Sequence, residues 1–199
     1  MELKERLDKI KNIVEADSFF NRQSLGGEVN FHIFDYNPED ELEVRKYIAD
    51  FIKSYSHTNS KIKPIEFDLF EMLIEILQNK KVGNNNILDM SFEVEEEDGV
   101  EELFDSLNPI LTPNAFIELI KERVRENNLV LITGVGKAFP LVRSHTILNN
   151  LQSVLNNTPV IMFYPGRYDQ KDLKLFNNGN SFAGLKDDNY YRAFKLVKN

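Results

Sequence analysis

Four places in the sequence gather side chains able to do chemistry: Asp35-Tyr36, Asp68, Thr133-Gly134-Val135-Gly136-Lys137 and Tyr164-Pro165-Gly166. Each closes an apolar, strand-like run, and in open parallel sheets ligands bind at the carboxyl ends of the strands. The glycine-rich turn ending in Lys137 would be a phosphate cradle, and Asp35 with Asp68 a pair of metal-binding carboxylates at adjacent strand ends. Both ideas meet obstacles in the residue types. The phosphate-binding loop G-x-x-x-x-G-K-[ST] needs glycine where this chain has Leu131 and a hydroxyl where it has Ala138. The first lets backbone curl around phosphate and the second holds magnesium. The dinucleotide fingerprint fails as well, since Phe139 stands at its third glycine. The turn reads instead as a tight strand-to-helix connection that needs two small residues. Asp35 and Asp68 each precede a helix-starting stretch, where aspartate is a routine cap or first-turn residue, so capping is the expectation for both.

The remaining candidates are weaker. His32 falls mid-strand, His57 in a polar loop and His145 on a helix, with no H-x-H or H-x-x-x-H pair among these three, so no metal site is expected. Arg143, His145, Thr146 and Asn150 form a polar strip off the apolar face of their helix, better suited to capping and internal hydrogen bonds than to a ligand. Gly179 to Ala183 resembles a G-x-S-x-G elbow but sits in a polar loop, without the strand–turn–helix setting that exposes a nucleophile. With no cysteine, disulfides, iron–sulfur clusters and thiolate zinc sites are excluded. These residues predict a non-catalytic module without a cofactor. Asp35, Tyr36, Asp68, Thr133, Gly134, Gly136, Arg143 and His145 remain a candidate strand-end cleft.

The elements that must position these groups follow from periodicity. Leu3, Leu7, Ile10 and Val14 mark one face of an opening helix. Leu25-Gly26-Gly27 is a loop, and Val29 to Phe34 a strand ending at Asp35. Asn37 and Pro38 then start a helix buried through Val44, Ile48, Phe51 or Ile52, and Tyr55. Ile62 to Phe67 is a second strand, followed by a helix carrying Leu69, Leu73, Ile76 and Leu77. Gly83-Asn84-Asn85-Asn86 breaks the pattern. Thr112-Pro113 opens a helix with Phe116, Ile117, Ile120 and Val124 inward. Leu129 to Ile132 suits a strand buried on both faces. A helix from about Pro140 to Leu155 leads to a strand from Val160 to Tyr164, closed by Pro165-Gly166. Asn177 to Asn180 is a loop, and Tyr190 to Val197 the last strand. Strands alternating with helices predict an α/β three-layer sandwich, a mostly parallel sheet flanked by helices. No internal repeat or linker is visible, so residues 1–199 read as one domain with an acidic excursion at about 84–108.

Composition narrows the classes further. The chain carries 32 acids against 24 bases. Seven of the acids, with no base, lie in Glu93-Val94-Glu95-Glu96-Glu97-Asp98-Gly99-Val100-Glu101-Glu102, and removing them leaves 25 against 24. The body is nearly neutral, and one segment holds the acidity: a solvated stretch, or a docking strip for a basic partner. Free DNA repels such a protein, so strong independent DNA binding is not expected. A hydrophobic share of 42% with 15 phenylalanines supports a packed core. The first residues are charged and amphipathic, unlike a signal peptide, and apolar runs reach only about six residues, far short of a span.

Five segments, in order, carry a family resemblance. They are Ile33-Phe34-Asp35-Tyr36-Asn37-Pro38-Glu39-Asp40-Glu41, Leu131-Ile132-Thr133-Gly134-Val135-Gly136, Arg143-Ser144-His145-Thr146-Ile147-Leu148-Asn149-Asn150-Leu151, Phe163-Tyr164-Pro165-Gly166-Arg167-Tyr168 and Asp188-Asn189-Tyr190-Tyr191-Arg192-Ala193-Phe194. Together they resemble the BrxB family of BREX (bacteriophage exclusion) defence systems over essentially the whole chain. The acidic segment and the loop around 177–184 are longer than the family pattern. The resemblance implies a cytoplasmic protein required for phage restriction, and in some systems for host-DNA methylation. It would work beside a methyltransferase, a large ATPase and a PglZ-type protein of the alkaline phosphatase superfamily. It brings no catalytic residue set. The implied role is a non-catalytic adaptor or assembly component with other BREX components as partners, the PglZ-type protein first. The alternative is a nucleotide-sensing or degenerate nucleotide-hydrolysing α/β domain. Tyr164, Tyr168, Tyr190, Tyr191 and Arg192 are the residue types enriched at protein–protein hot spots, and are expected to form one exposed partner-binding surface.

Overall fold

A computed structural model describes residues 1–20, 30–56, 60–155, 158–169, 173–176 and 193–197. In chain order its elements are α1 (Leu3–Glu15), α2 (Asp17–Phe20), β1 (Phe31–Tyr36), α3 (Glu41–Ser56), β2 (Lys63–Asp68), α4 (Leu69–Asn79), β3 (Lys81–Val82) and β4 (Asn85–Asn86). Then come α5 (Ile87–Glu97), α6 (Val100–Leu107), α7 (Pro113–Arg123), β5 (Asn128–Thr133), α8 (Val135–Ala138), α9 (Ser144–Leu151), β6 (Val160–Tyr168), β7 (Leu173–Leu175) and β8 (Phe194–Lys195). Five strands pair in the order β2-β5-β6-β1-β8, and β7 pairs with β6 off this path. Every pair along the path is parallel, and among the described residues only β6–β7 and the β3–β4 hairpin run antiparallel. Helices cover the sheet on both faces, as the alternation of strand and helix predicts.

The alternation of side chains in the central strands assigns the two cores. Phe31, Ile33, Val130, Ile132, Val160 and Met162 face one layer, built by α4, α7 and α9 through residues such as Leu73, Phe116 and Leu148. Phe34, Leu129, Leu131, Ile161 and Phe163 face the other, built by α1 and α3 through Ile10, Val14, Val44 and Ile48. Strands β1 and β5 are buried along their full length, which in β5 explains the continuous apolar run Leu129 to Ile132.

Three elements differ from the sequence expectation. The helix expected from about Pro140 to Leu155 is shorter, α9 over Ser144–Leu151, and α8 (Val135–Ala138) lies wholly before the proline. Phe139, preceding proline, is extended (φ −71°, ψ 140°). Strand β6 does not end at Tyr164. It runs through Pro165-Gly166 to Tyr168 and bonds to β7, which lies so close that a Cβ on Gly166 would stand 2.1 Å from the Lys174 carbonyl oxygen. Glycine here serves close backbone approach, not a turn. The acidic excursion is a helical hairpin, α5 and α6, joined at Gly99 with φ +90°. Leu25 to Gly27, His57, and the 177–192 segment with its loop and its G-x-S-x-G resemblance lie outside the described residues.

Candidate functional site

The chain leaves β1 through α3 on one face and β5 through α8 and α9 on the other. The crevice between β1 and β6 is therefore the topological switch point, where open α/β sheets hold ligands. Asp35, one residue before the end of β1, sits there buried. Its Oδ1 accepts a hydrogen bond from Arg6 Nη2 at 2.7 Å. Its Oδ2 accepts from Lys195 Nζ at 2.8 Å and from the Tyr168 backbone N–H at 3.1 Å. Both cations are themselves mostly buried, with side chains 11% and 14% exposed. The Arg6 guanidinium also lies 4.7 Å over the Phe34 ring centroid, a cation–π contact. Tyr168 completes the plug by donating its hydroxyl to the Ala193 carbonyl at 2.7 Å. The switch point is filled by the protein's own charges, drawn from α1, β1, β6 and β8.

Asp35 thus does not cap a helix. The chain after it enters a short 3-10 turn over Pro38–Asp40, and Asn37 makes no side-chain cap there. Asp68 does cap: its Oδ1 accepts from the backbone N–H of Phe70 at 2.9 Å and of Glu71 at 3.3 Å. Nor do the two aspartates meet. β1 and β2 are separated by β5 and β6, three strand spacings, or roughly 14 Å. Periodicity identifies strands but not their order in the sheet, so adjacency could not be read from the chain.

The Thr133-to-Lys137 loop is closed around itself. Gly134 has φ +69°, and a Cβ there would lie 2.1 Å from Asp68 Oδ1. Lys137 Nζ pairs with Asp68 Oδ2 at 2.6 Å and lies 5.5 Å over the Phe70 ring centroid. The site that would receive a phosphate holds a carboxylate of the chain. Gly136 is covered by Phe176 and Pro165, at 3.1 and 3.3 Å from where its Cβ would be. Phe176 in turn meets Phe139 edge-on at 6.0 Å. Thr133 donates its hydroxyl to Glu66 at 2.7 Å. Tyr36 donates to Glu41 Oε2 at 2.5 Å. Burial, then that hydrogen bond and the Glu41 charge, raise the Tyr36 hydroxyl above the ordinary tyrosine range.

Arg143 precedes α9 and is exposed, while His145 is half-buried in its first turn. Among the described residues no group of His, Asp and Glu is arranged to hold a metal ion. The expected partner surface is corrected in part. Tyr164 and Tyr168 are 3% and 2% exposed and belong to the core on the α4 side. The hydroxyls that argued for a surface role do not keep them there, since Tyr168 finds its acceptor inside. Tyr190, Tyr191 and Arg192 lie outside the described residues. Sequence reasoning also missed Arg6 and Lys195. Arg6 carried a signal, for it stands three residues after Leu3 and four before Ile10, on the apolar face of α1.

The fold and this site define a parallel-sheet α/β protein whose switch-point crevice is occupied by an internal ion cluster. Comparison with known proteins narrows the class. The family model described as "BREX protein BrxB" matches residues 65–196. A BREX protein BrxB of Bacillus cereus (strain H3081.97) is 40% identical over 199 residues, covering 98% of this chain and 97% of its own. One of Escherichia coli O9:H4 (strain HS) is 31% identical over 197 residues, covering 98% and 92%. The chain belongs to the BrxB family. No solved structure matches it. Among the described residues no helix is long and apolar enough to cross a membrane.

Proposed function

We propose that this protein is a non-catalytic adaptor or assembly component of a BREX anti-phage defence complex, supporting phage restriction and, where the system methylates, host-DNA methylation. Family membership supports the system. The observation that carries the non-catalytic part is the state of Asp35. A carboxylate at a switch point does acid–base or metal chemistry only when an oxygen is free to face a ligand. Here both oxygens are engaged by Arg6, Lys195 and the Tyr168 N–H. The nucleotide alternative is disfavoured by the same logic, since Lys137 is paired with Asp68 and its loop is covered by Phe176. The PglZ-type protein is the partner we expect to bind directly, on the strength of the family resemblance.

Co-expression with each of the other BREX proteins of the same system tests this reading. The expected result is stoichiometric recovery of the PglZ-type protein, with no ATP or DNA turnover by the purified chain in magnesium or manganese. Turnover abolished by Lys137→Ala or Asp35→Asn, in a variant that still folds, would overturn it.

A further inference from the structure

The α5–α6 hairpin concentrates acids where a helix disfavours them. Glu95, Glu96 and Glu97 occupy the last turn of α5, which holds no basic residue. Acids at a helix C-terminus oppose its dipole, and Glu93 and Glu97 repel at i,i+4 spacing. The seven acids of 93–102 are all exposed, and among the described residues none forms an ion pair or a side-chain hydrogen bond. Some surface acids elsewhere do pair, as in Glu15 with Lys11 and Glu118 with Lys121. Beside these charges in sequence the hairpin exposes apolar side chains. Phe92 is 62% exposed and Val100 50%. The hairpin is anchored instead through Ile87, Ser91 and Leu107, which are buried.

A local conflict without compensation inside the chain points to an interaction outside it. We infer that the α5–α6 hairpin is a docking face for a Lys/Arg-rich amphipathic segment of a partner protein. The partner's apolar side chains seat on Phe92 and Val100, and its bases neutralise the surrounding carboxylates. Charge complementarity selects this occupant: a second copy would set the same acidic field against itself, and a nucleic acid would bring phosphates to it. The inference rests on the adaptor reading and names the surface that the adaptor uses.

The test uses the full chain carrying Phe92→Ser, Glu95→Lys and Glu96→Lys, co-expressed with each of the other BREX proteins of its system. Because these side chains are exposed, the variant is expected to melt within about 2 °C of the parent. Recovery of the partner is expected to fall about tenfold or more. Recovery by the parent chain should itself fall as salt rises. If the triple variant fails to fold, the neutralising pair Glu101→Gln and Glu102→Gln should give a smaller loss of the same sign. Undiminished recovery by either folded variant overturns the inference and leaves the adaptor reading standing. Failure of the parent chain to recover any component overturns both. A change confined to self-association, read by sedimentation, would identify a second copy as the occupant and also overturn it.

Discussion

Lys195 donates to Asp35 Oδ2 at 2.8 Å across 160 positions of sequence, tying the edge strand β8 to the end of β1. Arg6 reaches the other oxygen of the same carboxylate from α1. One buried anion therefore holds both ends of the described chain against the centre of the sheet. Replacing Asp35 by asparagine would leave two buried cations without a counter-charge. Removing one partner of such a cluster costs about 3–5 kcal/mol. The midpoint of chemical unfolding should drop accordingly, whereas Lys195→Met should cost less because Arg6 still neutralises Asp35. A loss for Asp35→Asn of under about 1 kcal/mol, the range of an exposed pair, would show that the cluster does not fasten the ends.

Gly134 offers a second test, at the opposite side of the sheet. Alanine there would combine a left-handed backbone, φ +69°, with a Cβ 2.1 Å from the Asp68 carboxylate. Either the backbone shifts or Asp68 leaves the N-terminus of α4. The expected cost is about 2–4 kcal/mol, from strain and a weakened cap together. Asp68→Ala removes the clashing group and the cap at once. The double variant should therefore cost less than the two single losses added, read as the coupling in a double-mutant cycle. Strict additivity would count against the contact.

Much of the fold was legible because its central strands and helices are strongly periodic. The buried faces of α1, α3 and α7 follow from Leu7, Ile10 and Val14, from Val44 and Ile48, and from Phe116 and Ile120. The failures share one physical cause, pairing between residues distant in sequence. Nothing local in Pro165-Gly166 says that β7 will approach and continue the strand, so a turn was the natural reading. Asp35 carried the signature of a helix start, and only the packing of α1 and β8 against β1 gives it Arg6 and Lys195 instead. A tyrosine reads as a surface residue when its hydroxyl has no visible acceptor. The acceptor of Tyr168, the Ala193 carbonyl, lies 25 residues on.

Alkaline pH gives a third prediction. Tyr36, Tyr47 and Tyr55 all have hydroxyls raised above the ordinary tyrosine value, in each case first by burial. A group with a raised folded pKa contributes stability that is complete below its unfolded value and lost as pH climbs through the folded one. Stability should therefore hold from neutral pH to about pH 10, the unfolded tyrosine value, and fall beyond it. Tyr36→Phe removes one of these titrations, so its melting temperature should fall less steeply above pH 10 than that of the parent chain, although it starts lower. Parallel curves for the two proteins would exclude Tyr36 as a contributor.

Tyr168 separates the two roles open to it most directly. On an exposed docking surface it could be cut to alanine without loss of fold. In the structure it is 2% exposed, gives its hydroxyl to the Ala193 carbonyl and offers its backbone N–H to Asp35. Tyr168→Phe keeps the ring but strands a buried acceptor, at a cost of about 1–3 kcal/mol. Tyr168→Ala also leaves a cavity the size of an aromatic ring, and large-to-small changes of this kind cost about 3–5 kcal/mol. The ordering parent, phenylalanine, alanine should appear in the unfolding midpoints of the isolated protein, with no BREX partner present. An alanine variant as stable as the parent would return Tyr168 to the surface and reopen its candidacy for partner binding.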